Sequence, residues 1–86
     1  MRRDPDFFED AELTLIYMAP RLREALRLEE LLTNASIDYL VETGTYVGGL
    51  LMKRDLTGAF FYVRPEIVAE ARELLTQNRY KPYDPL

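Results

Sequence analysis

The sequence predicts an α+β domain in which a strand, a crossover helix and a return strand occur, and the strand-helix unit then begins again. The chain carries nearly the same message twice. Residues 15–34 read LIYMAPRLREALRLEELLTN and residues 60–78 read FFYVRPEIVAEARELLTQN. Each is a short apolar run holding a tyrosine, then a proline, then an amphipathic helix that closes on Glu-Leu-Leu-Thr (Glu30–Thr33 and Glu73–Thr76). A second observation is the clean alternation of Ile37–Thr43 between the two halves, the pattern of a half-exposed strand. A split β-α-β arrangement accounts for both.

Each element follows from its residues. Leu13–Ala19 is apolar on both alternating sets: Leu13, Leu15, Tyr17 and Ala19 on one, Ile16 and Met18 on the other. That is the signature of a central strand covered on both faces. Pro20 suits the first turn of a helix, which is expected to run to about Leu32. Its apolar stripe is Leu22, Ala25, Leu26, Leu28, Leu31 and Leu32. The alternating charges around it, Arg21, Arg23, Glu24, Arg27, Glu29 and Glu30, read as a solvated face. Asn34 suits a left-handed helix end. In the next strand Ile37, Tyr39 and Val41 face one way, Asp38 and Glu42 the other. Gly44–Gly58, GTYVGGLLMKRDLTG, is too long for a tight hairpin turn and reads as a long loop, partly extended, with Gly44 a candidate bulge. Ala59–Val63 is a second doubly apolar strand, Pro65 repeats the helix start, and Ile67, Val68, Ala71, Leu74 and Leu75 form the buried stripe of the second helix.

The order is therefore β-α-β-β-α, a ferredoxin-like two-layer sandwich with a short or missing last strand. The expected organisation is an acidic N-terminal arm over 1–12, the domain proper over 13–78 and a C-terminal tail over 79–86. In that layout a missing fourth strand leaves Leu13–Ala19 as a bare edge. One sheet face, carrying Ile16, Met18, Phe60 and Tyr62 or their alternates, lacks helices. Such a contiguous apolar patch points to a homo-oligomer, with Ile16, Tyr17, Met18, Phe60, Phe61 and Tyr62 as the self-association residues. Two readings of Phe7 and Phe8 stand side by side: a frayed terminus, or rings that, with the tail tyrosines, cover this face within one chain.

Composition narrows the chemistry. At 86 residues the chain is one small domain that buries only about 60–65% of its unfolded surface. It has neither cysteine nor histidine, and Ser36 is its one serine. Thiolate chemistry, zinc sites and the usual nucleophile-base pairs are excluded. Proton transfer would rest on Asp, Glu, Tyr or Lys, and no carboxylate pair stands out, so no enzyme activity, cofactor or metal is expected. The acidic arm (Asp4, Asp6, Glu9, Asp10, Glu12) lacks the glycine and terminal glutamate of a calcium loop. With 11 basic and 15 acidic residues the net charge is −4, which opposes nucleic-acid binding. Strand aromatics raise the RNA-platform reading, but no basic glycine-rich signature flanks AFFYV, and packing is favoured. No run approaches a membrane span, and Met1-Arg2-Arg3 leads into no apolar leader core. A complete, soluble, cytoplasmic bacterial protein is expected.

Recognition is expected in the long loop, at Tyr46, Val47, Gly48, Gly49, Leu50, Leu51, Met52, Lys53 and Arg54, whose apolar members a purely solvated loop does not need. Gly48-Gly49 followed by Lys53-Arg54 offers an anion cradle as the alternative, although neither phosphate-loop pattern is present.

At Met18–Leu32 and Leu50–Leu75 the chain resembles a family of small bacterial domains labelled prokaryotic signal-transducing proteins, related to the nitrogen-regulatory PII-type ferredoxin-like fold. The residues that carry the resemblance are Ala19-Pro20, Glu24-Ala25, Leu31-Leu32, Ala35-Ser36-Ile37, Gly48-Gly49-Leu50, Val63-Arg64-Pro65-Glu66 and Ala69–Leu75. It covers about residues 13–78. Ser36 stands where the family pattern implies glycine. The resemblance implies a regulatory or protein-interaction role, with the loop between the second and third strands meeting a protein partner. It carries over no nucleotide or 2-oxoglutarate ligands. A structural subunit of a larger complex is the remaining alternative.

Overall fold

The strand that holds Phe60, Phe61 and Tyr62 is the middle one. In the computed structural model, which describes residues 1–9, 11–48 and 54–83, with 45–48 and 54–57 as backbone only, the elements are β1 (Thr14–Ala19), α1 (Leu22–Asn34), β2 (Leu40–Gly48), β3 (Arg54–Val63) and α2 (Val68–Gln77). They form a small α+β domain with two helices and a three-stranded antiparallel sheet in the order β1-β3-β2. Among the described residues no helix is long and apolar enough to cross a membrane.

The core lies between the sheet and the helices. Ile16, Leu28, Leu32, Phe61, Val63, Ala71 and Leu75 are fully buried there, joined by Ala19, Ala25, Ile37 and Tyr39. Each large side chain so buried contributes roughly 1.5–3 kcal/mol. α1 enters this core through Ala25, Leu28 and Leu32, one helical face. Leu22 and Leu26 were expected in that stripe, but they are 76% and 56% exposed; they fall on the flank of a helix whose seam runs one position further round. Tyr39 is the polar member of the core. Its hydroxyl donates to the Glu29 carbonyl at 3.3 Å and to Glu29 Oε1 at 3.2 Å, which gives a buried phenol its partner.

Both helices end in the same way. The Ile37 and Ser36 amides donate to Leu32 O and Thr33 O, each at 3.0 Å; those of Tyr80 and Arg79 donate to Leu75 O and Thr76 O, at 2.9 and 3.1 Å. This is the Schellman pair of bonds, closed by an apolar residue (Ile37, Tyr80) that turns back to the core. The left-handed residues are Ser36 (φ 61°) and Arg79 (φ 67°), not Asn34. The repeated Glu-Leu-Leu-Thr of the sequence is thus a repeated helix end. Helix starts differ from expectation too: Pro20 lies just outside α1, and Pro65 opens a 3-10 turn, Pro65–Ile67, that leads into α2.

Two further differences concern the sheet. β2 and β3 stay in register out to Gly48 opposite Arg54, so most of the expected Gly44–Gly58 loop is ladder, its two arms pairing antiparallel residue for residue. Gly44 is no bulge; it pairs directly with Gly58. The irregularity sits in β1, between Leu15 and Tyr17.

The N-terminal segment is tied down. The Arg3 amide donates to Tyr39 O at 2.9 Å and the Tyr39 amide to Met1 O at 3.1 Å, making a parallel bridge ahead of β2. Arg3 Nε donates to Asp38 Oδ1 at 2.9 Å. The 3-10 turn Pro5–Phe8 follows, and Phe8 is 3% exposed while Phe7 is 40% exposed.

Candidate interaction site

The bulge decides what the two faces of the sheet carry. Cross-strand partners share a face. Tyr17 pairs with Phe61 and Ala19 with Ala59, on the helix side; Leu15 pairs with Tyr62 and Met18 with Phe60, on the other. The extra residue, Ile16, turns inward beside Tyr17, as a two-against-one bulge allows. Of the six residues expected at a self-association surface, Met18, Phe60 and Tyr62 lie on the helix-free face, now with Leu15. Ile16 and Phe61 are fully buried in the core and Tyr17 packs against it.

The helix-free face is covered at one end and open at the other. Leu40 pairs with Tyr62 and so belongs to this face, yet it is only 7% exposed. At this end the N-terminal arm joins the chain at Tyr39 and brings the Phe7 and Phe8 rings to 5.2 Å from the guanidinium of Arg64, the residue after β3. Further along, Met18 is 38% exposed, with Leu15, Phe60 and Tyr62 half-buried around it. Burial, and then the carboxylate of Glu42, raise the Tyr62 phenol above its ordinary value.

The expected recognition loop divides. Tyr46, Val47 and Gly48 continue β2 and Arg54 opens β3, while Gly49, Leu50, Leu51, Met52 and Lys53 lie outside the described residues. At the root of this ribbon is a cavity of about 160 Å³ lined by Pro20, Leu22, Ala25, Thr43, Gly58 and Ala59 among others. With Leu22 and Leu26 it forms an apolar spot that periodicity hid, since both leucines sit at core-like helical spacing.

On the outer side of α1 a second hollow, of about 280 Å³, is lined by Arg21, Arg23, Glu24, Arg27 and Tyr80. It adjoins another of about 270 Å³ that shares Arg27 and Tyr80 and adds Glu30, Leu31, Asn34 and Asn78. The Tyr17 hydroxyl donates to Glu24 Oε1, and the Tyr80 ring meets Tyr17 edge-on at 5.5 Å. Burial first, and then the Glu24 hydrogen bond and charge, push the Tyr17 phenol well above its ordinary value. The tail continues from Tyr80 to Tyr83, whose amide donates to Ile16 O at 2.7 Å on the outer edge of β1. Among the described residues no cluster of three or more acidic side chains is placed to hold a metal ion.

Comparison of the chain with family models, with curated proteins and with solved structures finds no match. The functional reading therefore stands on these surfaces.

Proposed function

We propose that this protein is a non-enzymatic regulatory, protein-interaction module of ferredoxin-like topology that self-associates through its helix-free sheet face. The observation that carries the reading is Met18: a large apolar side chain, 38% exposed, ringed by Leu15, Phe60 and Tyr62 on a face that no helix layers. Contiguous apolar surface of this kind marks an interface, and a second copy is its natural occupant in a domain this small. The strand order β1-β3-β2, antiparallel throughout, supports a split β-α-β fold without its outer fourth strand, the topology implied by the sequence resemblance to the prokaryotic signal-transducing family.

In this reading the β2–β3 hairpin, with the apolar spot at its root, meets a protein partner. The cytoplasm of a bacterium is the expected setting. Light scattering on size-exclusion eluate, over a wide concentration range, tests the self-association. The parent chain should elute as a dimer or larger species, and Met18→Glu should lower its mass. A parent monomeric at every concentration sinks the reading. For the hairpin, Tyr46→Ala combined with Leu51→Ala should abolish partner capture with the fold intact.

A further inference from the structure

We infer that the groove between α1 and the tail binds a small phosphate-bearing ligand, held by Arg21, Arg23 and Arg27 against the ring of Tyr80. This inference is independent of the self-association reading and uses a different face.

Three arginines line one hollow of about 280 Å³ in a chain whose net charge is −4. The ion pairs among the described residues belong to Met1, Arg2 and Arg3. Among the described residues, no carboxylate lies within 4.0 Å of Arg21, Arg23 or Arg27. The nearest acid in the lining, Glu24, is turned toward β1 by the Tyr17 hydroxyl.

Left without an anion, the arrangement is unfavourable in three ways. Arg23 and Arg27 are four residues apart on one helix face, a like-charge pair. Arg21 is the residue capping α1, where the helix presents its positive end. No side chain accepts from the first amides of α1. One bound phosphate relieves all three, because it accepts charge-assisted hydrogen bonds from guanidinium groups and sits by the helix start.

The wall opposite the arginines is prebuilt. Tyr80 is fixed by its backbone bond to Leu75 O at 2.9 Å and by its contact with Tyr17. It presents a ring on which a base or sugar can lie. The adjoining hollow brings Asn34 and Asn78, amides suited to hydroxyl groups. The size of the hollows is near the lower end of small-molecule sites, about 300–1,000 Å³. The acidic remainder of the chain disfavours a long polyanion, so the ligand is a small phosphorylated molecule rather than a nucleic acid.

Calorimetric titration with pyrophosphate, and separately with inorganic phosphate, against chloride at matched ionic strength tests this. The parent should bind pyrophosphate more tightly than phosphate. Arg23→Gln combined with Arg27→Gln should weaken pyrophosphate binding at least about tenfold, with an unchanged circular dichroism spectrum. Arg64→Gln, at the far end beside Phe7 and Phe8, should bind as the parent does. No binding below about 10 mM, or an equal loss in Arg64→Gln, overturns the inference. So does tighter binding of a single-stranded oligonucleotide than of pyrophosphate.

Discussion

The ring edge of Phe60 lies 3.1 Å from where a β-carbon on Gly44 would stand. Gly44 faces Gly58 across the ribbon, and the Phe60 ring fills the space over the diagonal glycine, an aromatic substitute for the missing side chain. Gly44→Val should therefore force the ring aside and destabilise the domain by about 1–3 kcal/mol. Urea denaturation measures this. A variant as stable as the parent would mean that Phe60 does not pack there.

Ser36 occupies a left-handed conformation at φ 61°, where a β-carbon is penalised and glycine is not. Ser36→Gly should raise stability by about 0.5–1 kcal/mol, seen as a higher thermal midpoint. Ser36→Val should lower it. Equal midpoints for all three chains would show that the first helix ends in some other way.

Alkaline pH should unfold this protein earlier than its acid groups suggest. The Tyr17, Tyr39 and Tyr62 phenols are all raised, first by burial, from an ordinary value of 10.0. Each is held neutral by the fold, so its contribution is complete below about pH 10 and is lost as the pH climbs from there through the raised values. Tyrosinate absorbance and circular dichroism should change together above pH 10 in the parent. Tyr17→Phe should flatten that alkaline slope, at a cost near neutrality of about 1 kcal/mol for the lost bond to Glu24. A slope identical to the parent's would remove Tyr17 from the account.

Phe8 is buried outside the main cluster, so its removal separates the arm from the core. Phe8→Ala should cost about 2–4 kcal/mol and speed hydrogen exchange at the Tyr39 amide, which donates to Met1 O. An unaltered exchange rate would mean that the contacts of Met1, Arg2 and Arg3 hold the arm without Phe8.

Much of this architecture is legible in the chain. Ala59–Val63 reads as an interior strand and is one, while Leu13–Ala19 carries the same signature and lies at the end of the order β1-β3-β2; Leu32-Thr33 and Leu75-Thr76 announce matched helix ends. Leucine spacing overshoots, because Leu22 and Leu26 fit the helical period as well as Leu28 does and only the position of the sheet tells them apart. GTYVG reads as loop because its strand character lies in pairing with residues 54–58, further along the chain. The acidic arm hides its tether, which is made by the backbone of Met1 and Arg3. The arginine groove looked like a solvated face for a related reason: α1 supplies one wall, and Tyr80 arrives from the other end of the sequence.

The irregularity at Ile16 works like a single-letter frameshift in the side-chain pattern. Upstream of it Leu15 points to the bare layer, and downstream Ala19 points to the helices, so the two ends of β1 are in different phase. Deleting Ile16 would restore simple alternation and leave every other side chain of β1 on its present side, because Leu15 and Tyr17 already face the consecutive partners Tyr62 and Phe61. The loss would be the Ile16 side chain itself, which is fully buried in the core. Deleting or inserting any other single residue would throw one end of the strand out of phase with β3, so length changes should be selected against within the rest of the six residues of β1.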